Sequence, residues 1–422
     1  MNKADYENMI QRCLRCSICK WIPQIQIKSK KYASICPSID KYNFHPYSGG
    51  GKIILALSLY LERLNLDEKV RDIVYKCTQC GGCDISCKFL YTLEPLEIMK
   101  KLREDLVKKG IGPLPVQSKF IENVFSQNNP YNEFPKNRLD WMKEDIKFSE
   151  NAKTLFFVGC TSSYRRKEIA YAAAKILNYA NIEFQVLGVE EICCGSPILR
   201  VGDRKNFLKI MNHNLKKIES MNIERVIFCC AGCLSTFKVD YYKHQRYNFE
   251  VLHIVELFDH LINEGRIAFK EDMEVNVTYH DPCHLGRLSE RDIEWNGDKV
   301  EIMPLISLKV PSKPKKTGSE GVYDSPRNLL NNIPGVKLKE MERIKEYSYC
   351  CGAGGGVKSG FPEFAIDTAK NRIKEAEDTN AGYLISSCPF CATNFKDGIK
   401  SSNSNLKFLD ITELILMMIE GK

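Results

Sequence analysis

Cysteine dominates the chemistry available to this 422-residue chain, which carries 19 of them. Most stand in two patterns: C-x-x-C, and adjacent pairs. The pairs are Cys193-Cys194-Gly195 and Cys350-Cys351-Gly352. Adjacent thiols do not readily bridge each other, because a disulfide needs a suitable Cα separation and converging Cβ vectors. Two neighbouring thiolates can instead grip neighbouring iron atoms. Thiolate-only sites select zinc or iron–sulfur clusters. After the second pair comes Gly354-Gly355-Gly356-Val357-Lys358. Such a glycine run lets backbone pass close to a cluster or substrate, or simply makes a turn.

The N-terminal cysteines form two sets. The first is Cys13, Cys16 and Cys19, with a distant Cys36-Pro37; the second is Cys77, Cys80, Cys83 and Cys87. The second follows the bacterial ferredoxin ligand run, in which the fourth cysteine serves the other cluster. On that rule Cys13, Cys16, Cys19 and Cys87 hold one [4Fe–4S] cluster, and Cys77, Cys80, Cys83 and Cys36 the other. Zinc is the competing occupant, and the spacing disfavours it. The pattern departs from the usual one in two places. Sixteen residues separate Cys19 from Cys36, and Lys88 follows Cys87 where proline is usual.

The remaining cysteines repeat. Cys160, 32 residues, Cys193-Cys194, 35 residues, Cys230-x-x-Cys233 is matched by Cys283, 66 residues, Cys350-Cys351, 36 residues, Cys388-x-x-Cys391. Only Cys229 is left over. The longer spacer of the second half contains Pro311 to Gly318, which shows no helix or strand signal. Residues 289–322 are therefore expected to be a flexible, lysine-bearing surface insertion.

Apolar periodicity places these groups on elements. Helices are expected over 52–64, after a Gly49–Gly51 turn, and over 94–109. Residues 111–152, rich in Pro, Asn and charge, read as a linker. Strands at 154–158, 184–187, 225–228, 275–279 and 383–385 alternate with helices at 167–180, 205–218 and 362–377. That alternation predicts parallel α/β sheets with cysteines at the carboxyl ends of their strands. The domains expected are 1–110, 153–270 and 271–422.

The net charge of +8 fits a solvated lysine-rich surface, or sites for anionic small molecules or an acidic redox partner. The cations are spread along the chain, which disfavours nucleic acid. No stretch of about 18 apolar residues is present, and the polar start at Met1-Asn2-Lys3 lacks a signal region. A cytoplasmic protein with reduced thiols is expected.

Val158-Gly159-Cys160-Thr161, Cys193-Cys194-Gly195-Ser196, Cys230-Ala231-Gly232-Cys233, His280-Asp281-Pro282-Cys283-His284-Leu285-Gly286-Arg287, Cys350-Cys351-Gly352 and Cys388-Pro389-Phe390-Cys391 occur in order. With them the chain resembles the cysteine-rich (CCG) domain family, and within it the D-type catalytic subunits of heterodisulfide reductases. The resemblance implies a helical two-cluster ferredoxin-like domain followed by two Rossmann-like α/β CCG repeats. It implies a non-cubane [4Fe–4S] cluster on the five cysteines of each repeat: Cys160, Cys193, Cys194, Cys230 and Cys233, then Cys283, Cys350, Cys351, Cys388 and Cys391. The two facing clusters would reduce a coenzyme M–coenzyme B heterodisulfide. Electrons would come from a membrane cytochrome b-type subunit, which could hold the protein at a membrane, or from a flavoprotein or soluble ferredoxin-type partner.

Splitting a disulfide takes two electrons and two protons, and a cluster passes one electron at a time. Two facing clusters meet that need, which gives the repeat a chemical reason. His284 is the first candidate proton donor, or else hydrogen-bonds cluster sulfur or backbone; His280 is expected to fix the loop. Lys358, Arg287, Arg200 and Lys238 lie near ligands in sequence and could bind anionic substrate groups, or be surface charges or tuners of cluster potential. The alternative function is an electron relay of the glycolate oxidase or anaerobic glycerol-3-phosphate dehydrogenase type.

Overall fold

The computed structural model describes residues 3–91, 93–270, 274–303, 306–312 and 314–421; Pro304, Leu305 and Lys313 of the expected insertion lie outside them. The N-terminal part is built from helices, among them Pro37–Tyr42, Gly49–Tyr60, Glu68–Tyr75, Gly82–Leu90 and Pro95–Lys108, with one isolated bridge between Trp21 and Ser34. Local chemistry starts them. Ser48 Oγ accepts the Gly51 N–H and Asp67 accepts the Val70 N–H, satisfying donors that a helix start leaves open. Pro37 and Pro95 stand at first helical positions.

Gly49–Gly51 is the first turn of a helix and not a turn before it. A Cβ on Gly51 would fall 1.9 Å from the His45 carbonyl oxygen. The glycines trade helix propensity for close approach.

Two parallel sheets follow. The first orders β1 (Thr154–Phe157), β2 (Arg225–Phe228) and β3 (Glu250–His253), with Gln185 bridging Leu155 on the outer side of β1. The second contains β4 (Val275–His280), β7 (Val336–Leu338), β8 (Tyr383–Ser386) and β9 (Lys407–Asp410), in the order β7-β4-β8-β9. The expected strand at 184–187 is thus reduced to a single bridge. Strands β3, β7 and β9 carry too few alternating residues to announce themselves.

The helices exchange partners between the sheets. Helix Ile254–Asn263, after β3, packs on Asp324–Asn332 of the second unit, and the last helix, Ile411–Glu420, packs on Lys167–Tyr179 of the first. Each unit therefore covers part of the other, and the sheets form one joined core.

Two expectations change. Residues 111–152 hold a helix, Pro115–Gln127, and bury Gln117, Ile121, Val124 and Trp141. The insertion forms an antiparallel hairpin of β5 (Asp298–Met303) and β6 (Ile306–Val310). Its apolar residues alternate, Val300 and Ile302 against Leu308 and Val310, and each is about half exposed. The prolines and lysines after it had masked that period. Among the described residues no helix is long and apolar enough to cross a membrane.

Arg103, fully buried, joins the three parts. Its guanidinium donates to the carbonyls of Val74, Tyr75 and Cys77 in the N-terminal part, Arg200 in the first unit and Gly355 in the second, at 2.6–3.2 Å. Replacing it by methionine removes five hydrogen bonds at once. Arg103→Met should lower stability by more than about 3 kcal/mol, measured as the urea midpoint under anaerobic conditions. The exposed Lys109→Met serves as the unaffected control.

Candidate functional site

All 19 cysteines are free thiols, and the fold gathers 18 of them into sites. Cys13, Cys16, Cys19 and Cys87 line one small cavity of about 20 Å³. Cys36, Cys77, Cys80 and Cys83 line another of about 20 Å³. Near-equal spaces with four thiols each suit the same guest. The N-terminus of helix Gly49–Tyr60 lies between them. Gly50 N–H donates to Cys19 Sγ at 3.1 Å, while a Cβ on Gly49 would meet Cys83 Cβ at 2.8 Å. The helix end thus presents N–H groups where thiolates gather.

The other ten thiols lie at the carboxyl ends of the parallel strands. In the first unit Cys160 meets Cys193, Cys194 meets Cys233, and Cys233 meets Cys230. In the second, Cys283 meets Cys350, Cys391 meets Cys388, and the Sγ atoms of Cys391 and Cys351 are 3.3 Å apart. Two further contacts join sites. Cys230 meets Cys388 across the seam between the units, and Cys80 of the second cavity meets Cys350. One line of thiols therefore runs from the N-terminal part through the second unit into the first.

Histidine sits on this line. His284 Nδ1 is 3.3 Å from Cys283 Sγ, and its Nε2 is buried without a partner among the described residues. Contact with Cys350, then His284 and Arg287, hold the Cys283 thiol well below its ordinary value against the opposing effect of burial. His280 accepts from Arg372 Nε on Nδ1, at 3.3 Å, and groups with Cys351 and Cys391 within 4.8 Å. The last strand of each sheet also ends at the seam. There His253 and Asp410 cap helices, and both feel Cys388. Burial pushes His253 down to about 4, so it is neutral.

The cations singled out in the sequence are mostly engaged. Lys358 Nζ donates to Asp397 at 2.6 Å and Asn394 at 2.9 Å, and Arg200 pairs with Asp240 at 2.5 Å. Lys238 lies 4.0 Å from Glu256. Arg287 is buried, donates to the carbonyls of Cys80 and Glu346, and keeps Nη2 unpartnered beside Cys283 and Cys350. The glycine run meets protein. Added Cβ atoms on Gly354 and Gly355 would stand 2.8 Å from Thr78 O and 2.6 Å from Cys77 O.

Sequence reasoning missed the ion pairs that hold the cysteine loops. Arg138 and Glu191 are buried, paired at 2.6 Å, and Arg138 Nη2 lies 3.6 Å from Cys160 Sγ. Glu191 also accepts the N–H groups of Val158 and Gly159, which fixes the turn into Cys160. In the second unit Asp281 receives both Nη atoms of Arg327 and the Lys345 N–H. The position of Glu191, two residues before Cys193, is a usable signal; Arg138, in a polar stretch, offers none.

Models of two families match the chain. The cysteine-rich domain matches residues 154–238 and 314–396, and a 4Fe-4S dicluster domain matches residues 9–90. The chain is 35% identical over 415 residues to the D-type subunit of the dihydromethanophenazine:CoB–CoM heterodisulfide reductase of Methanosarcina acetivorans, covering 96% of this chain and 93% of that one. The chain belongs to the family of D-type heterodisulfide reductase subunits. It is also 28% identical to an EtfAB:quinone oxidoreductase of Syntrophomonas wolfei, over 83% of this chain and 47% of the relative. A crystal structure of a hypothetical protein from Helicobacter pylori shares the fold, with a TM-score of 0.55 at 11% identity, over 100% of this chain and 74% of that one. The protein is thus an iron–sulfur oxidoreductase with a dicluster N-terminal part and two cysteine-rich repeats. Free, mostly buried, convergent thiols are the donor set such clusters need.

Arg138→Met leaves Glu191 buried without its partner, a strongly destabilising arrangement. The variant should lose the iron of the first repeat alone, read as a lower iron count per chain with the N-terminal cluster signals retained. Arg165→Met, which removes an exposed pair with Glu133, should keep all its iron.

Proposed function

We propose that this protein reduces an anionic heterodisulfide of the coenzyme M–coenzyme B type to two thiols at the seam between its repeats. The observation that carries the proposal is the contact of Cys230 with Cys388, which brings two complete five-cysteine sets together. In this reading Cys160, Cys193, Cys194, Cys230 and Cys233 hold one non-cubane cluster, and Cys283, Cys350, Cys351, Cys388 and Cys391 the other. The N-terminal cavities hold two cubane clusters. When bound, the clusters supply one-electron steps and iron atoms with affinity for sulfur.

The chain itself does the positioning. Arg138–Glu191 and Arg327–Asp281 set the loops that bear the first cysteine of each set. Arg287 holds the Cys80 loop against the second repeat, so electrons enter the paired sites on that side. His284 Nε2 offers a proton near Cys283, and burial around the seam keeps water from competing for it. Lys358 is tied to Asn394 and Asp397 in the middle of helix Pro389–Ser402; in this proposal it also adds positive charge for an anionic substrate.

The similarity to the quinone oxidoreductase favours a second reading, a relay to a partner without disulfide chemistry. Anaerobic purification, iron counting and heterodisulfide reduction by a reduced viologen dye separate the two. The proposal expects turnover, abolished in Cys351→Ala with N-terminal cluster signals intact. Full iron content without turnover supports the relay. His284→Gln should lower kcat about 10²-fold, while iron content stays unchanged.

A further inference from the structure

The first N-terminal cavity, beside the start of helix Gly49–Tyr60, has an exposed thiol: Cys16 lines it and is exposed, whereas Cys160 at the far end of the thiol line is buried. The segment around Cys16 has an unusual composition. Residues 8–39 contain Arg12, Arg15, Lys20, Lys28, Lys30 and Lys31 and no aspartate or glutamate. Only Lys31 is paired, with Asp378; Arg12, Arg15, Lys20, Lys28 and Lys30 have no ion-pair partner among the described residues. Arg15 lines the first cavity together with His45, so at least one of these cations stands at the site itself.

The same segment exposes apolar side chains. Leu14 is 64% exposed, Ile25 77% and Trp21 44%. The loop that carries Ile25 is nevertheless ordered by backbone bonds between Ile22 and Ala33 and between Ile35 and Lys20. Ser29 and Tyr32 tie it to Glu342 and Asp378 of the second repeat. An apolar centre with a rim of unpaired cations on a held loop is the anatomy of an interface for an oppositely charged protein.

We infer that the face formed by residues 12–30 docks an acidic one-electron carrier protein and that electrons enter the molecule there. The inference rests on the redox reading above and names the partner chemistry of its entry site. In the step, the carrier's reduced centre loses one electron and the first N-terminal site gains it; no bond forms and no proton moves.

The test uses the iron-loaded full chain and a reduced, acidic bacterial-type ferredoxin as probe. Stopped-flow bleaching reads electron arrival, and reduced methyl viologen, a small cation, is the control donor. Ferredoxin-driven bleaching should slow about tenfold or more as salt is raised from low to high, as steered encounters do. Arg12→Glu with Arg15→Glu should slow it to a similar degree at low salt. Lys28→Glu with Lys30→Glu, away from the ligands, should do the same if the first pair loses iron. Methyl viologen, being a cation, should bleach both variants at least as fast as the wild type. Salt-independent bleaching at equal rates in all three proteins overturns the inference. So does an unchanged ferredoxin rate with lost binding to phosphatidylglycerol vesicles, which would make the face a lipid contact. Absence of disulfide turnover with viologen would overturn the reductase reading and leave this result standing.

Discussion

A single guanidinium with no carboxylate beside it holds the molecule together. Arg103 is wholly buried, and its two Nη groups donate to five backbone carbonyls from three regions of the chain. A buried cation is costly unless hydrogen bonds replace its water, and here carbonyls do so. Because carbonyls belong to the backbone, the bonds survive side-chain change in their partners and report only where the loops are. Cys77 and Gly355 lie beside two sites that must meet, so the position of this one side chain governs whether they do. Tyr75, stacked on the guanidinium, adds its hydroxyl bond to Val201 and closes the same joint.

Around that joint the two repeats behave as exchanged halves. Each lends its last helix to the other, and each brings its cysteines to the carboxyl end of a parallel sheet, where strand ends leave a crevice. The seam is therefore the place both sheets point to. Buried ion pairs set the loops there: Arg138 with Glu191 on one side, Arg327 with Asp281 on the other. Such pairs contribute little net stability compared with apolar packing. Their use here is to fix direction, since Glu191 also receives the N–H groups that turn the chain into Cys160.

Much of this was legible in the spacing of cysteines. The grouping of Cys13, Cys16 and Cys19 with Cys87, and of Cys36 with Cys77, Cys80 and Cys83, follows from a ligand-exchange rule, and each group of four lines one cavity. The repeat was legible because matched spacers survive insertion. Short edge strands such as β7 were not, since three residues carry no period. The segment 111–152 was obscured by its prolines and asparagines, although Pro115 in fact starts a helix. Gly354 and Gly355 were visible as a place of close approach. Which backbone approaches, that of Cys77 and Thr78, is a tertiary fact. Long-range pairs such as Arg138–Glu191 leave no local trace at all.

The closeness of the thiols bears on how such a protein must be made. Cys351 and Cys391 lie 3.3 Å apart before any metal is considered. A small displacement brings two sulfurs from there to disulfide distance, near 2.05 Å. Oxidation and metal loading therefore compete for the same atoms, and the winner is decided by order of arrival. Maturation has to deliver iron while the thiols are still reduced. Loss of a cluster in air would close the vacated ligands on each other, converting a redox centre into a covalent staple.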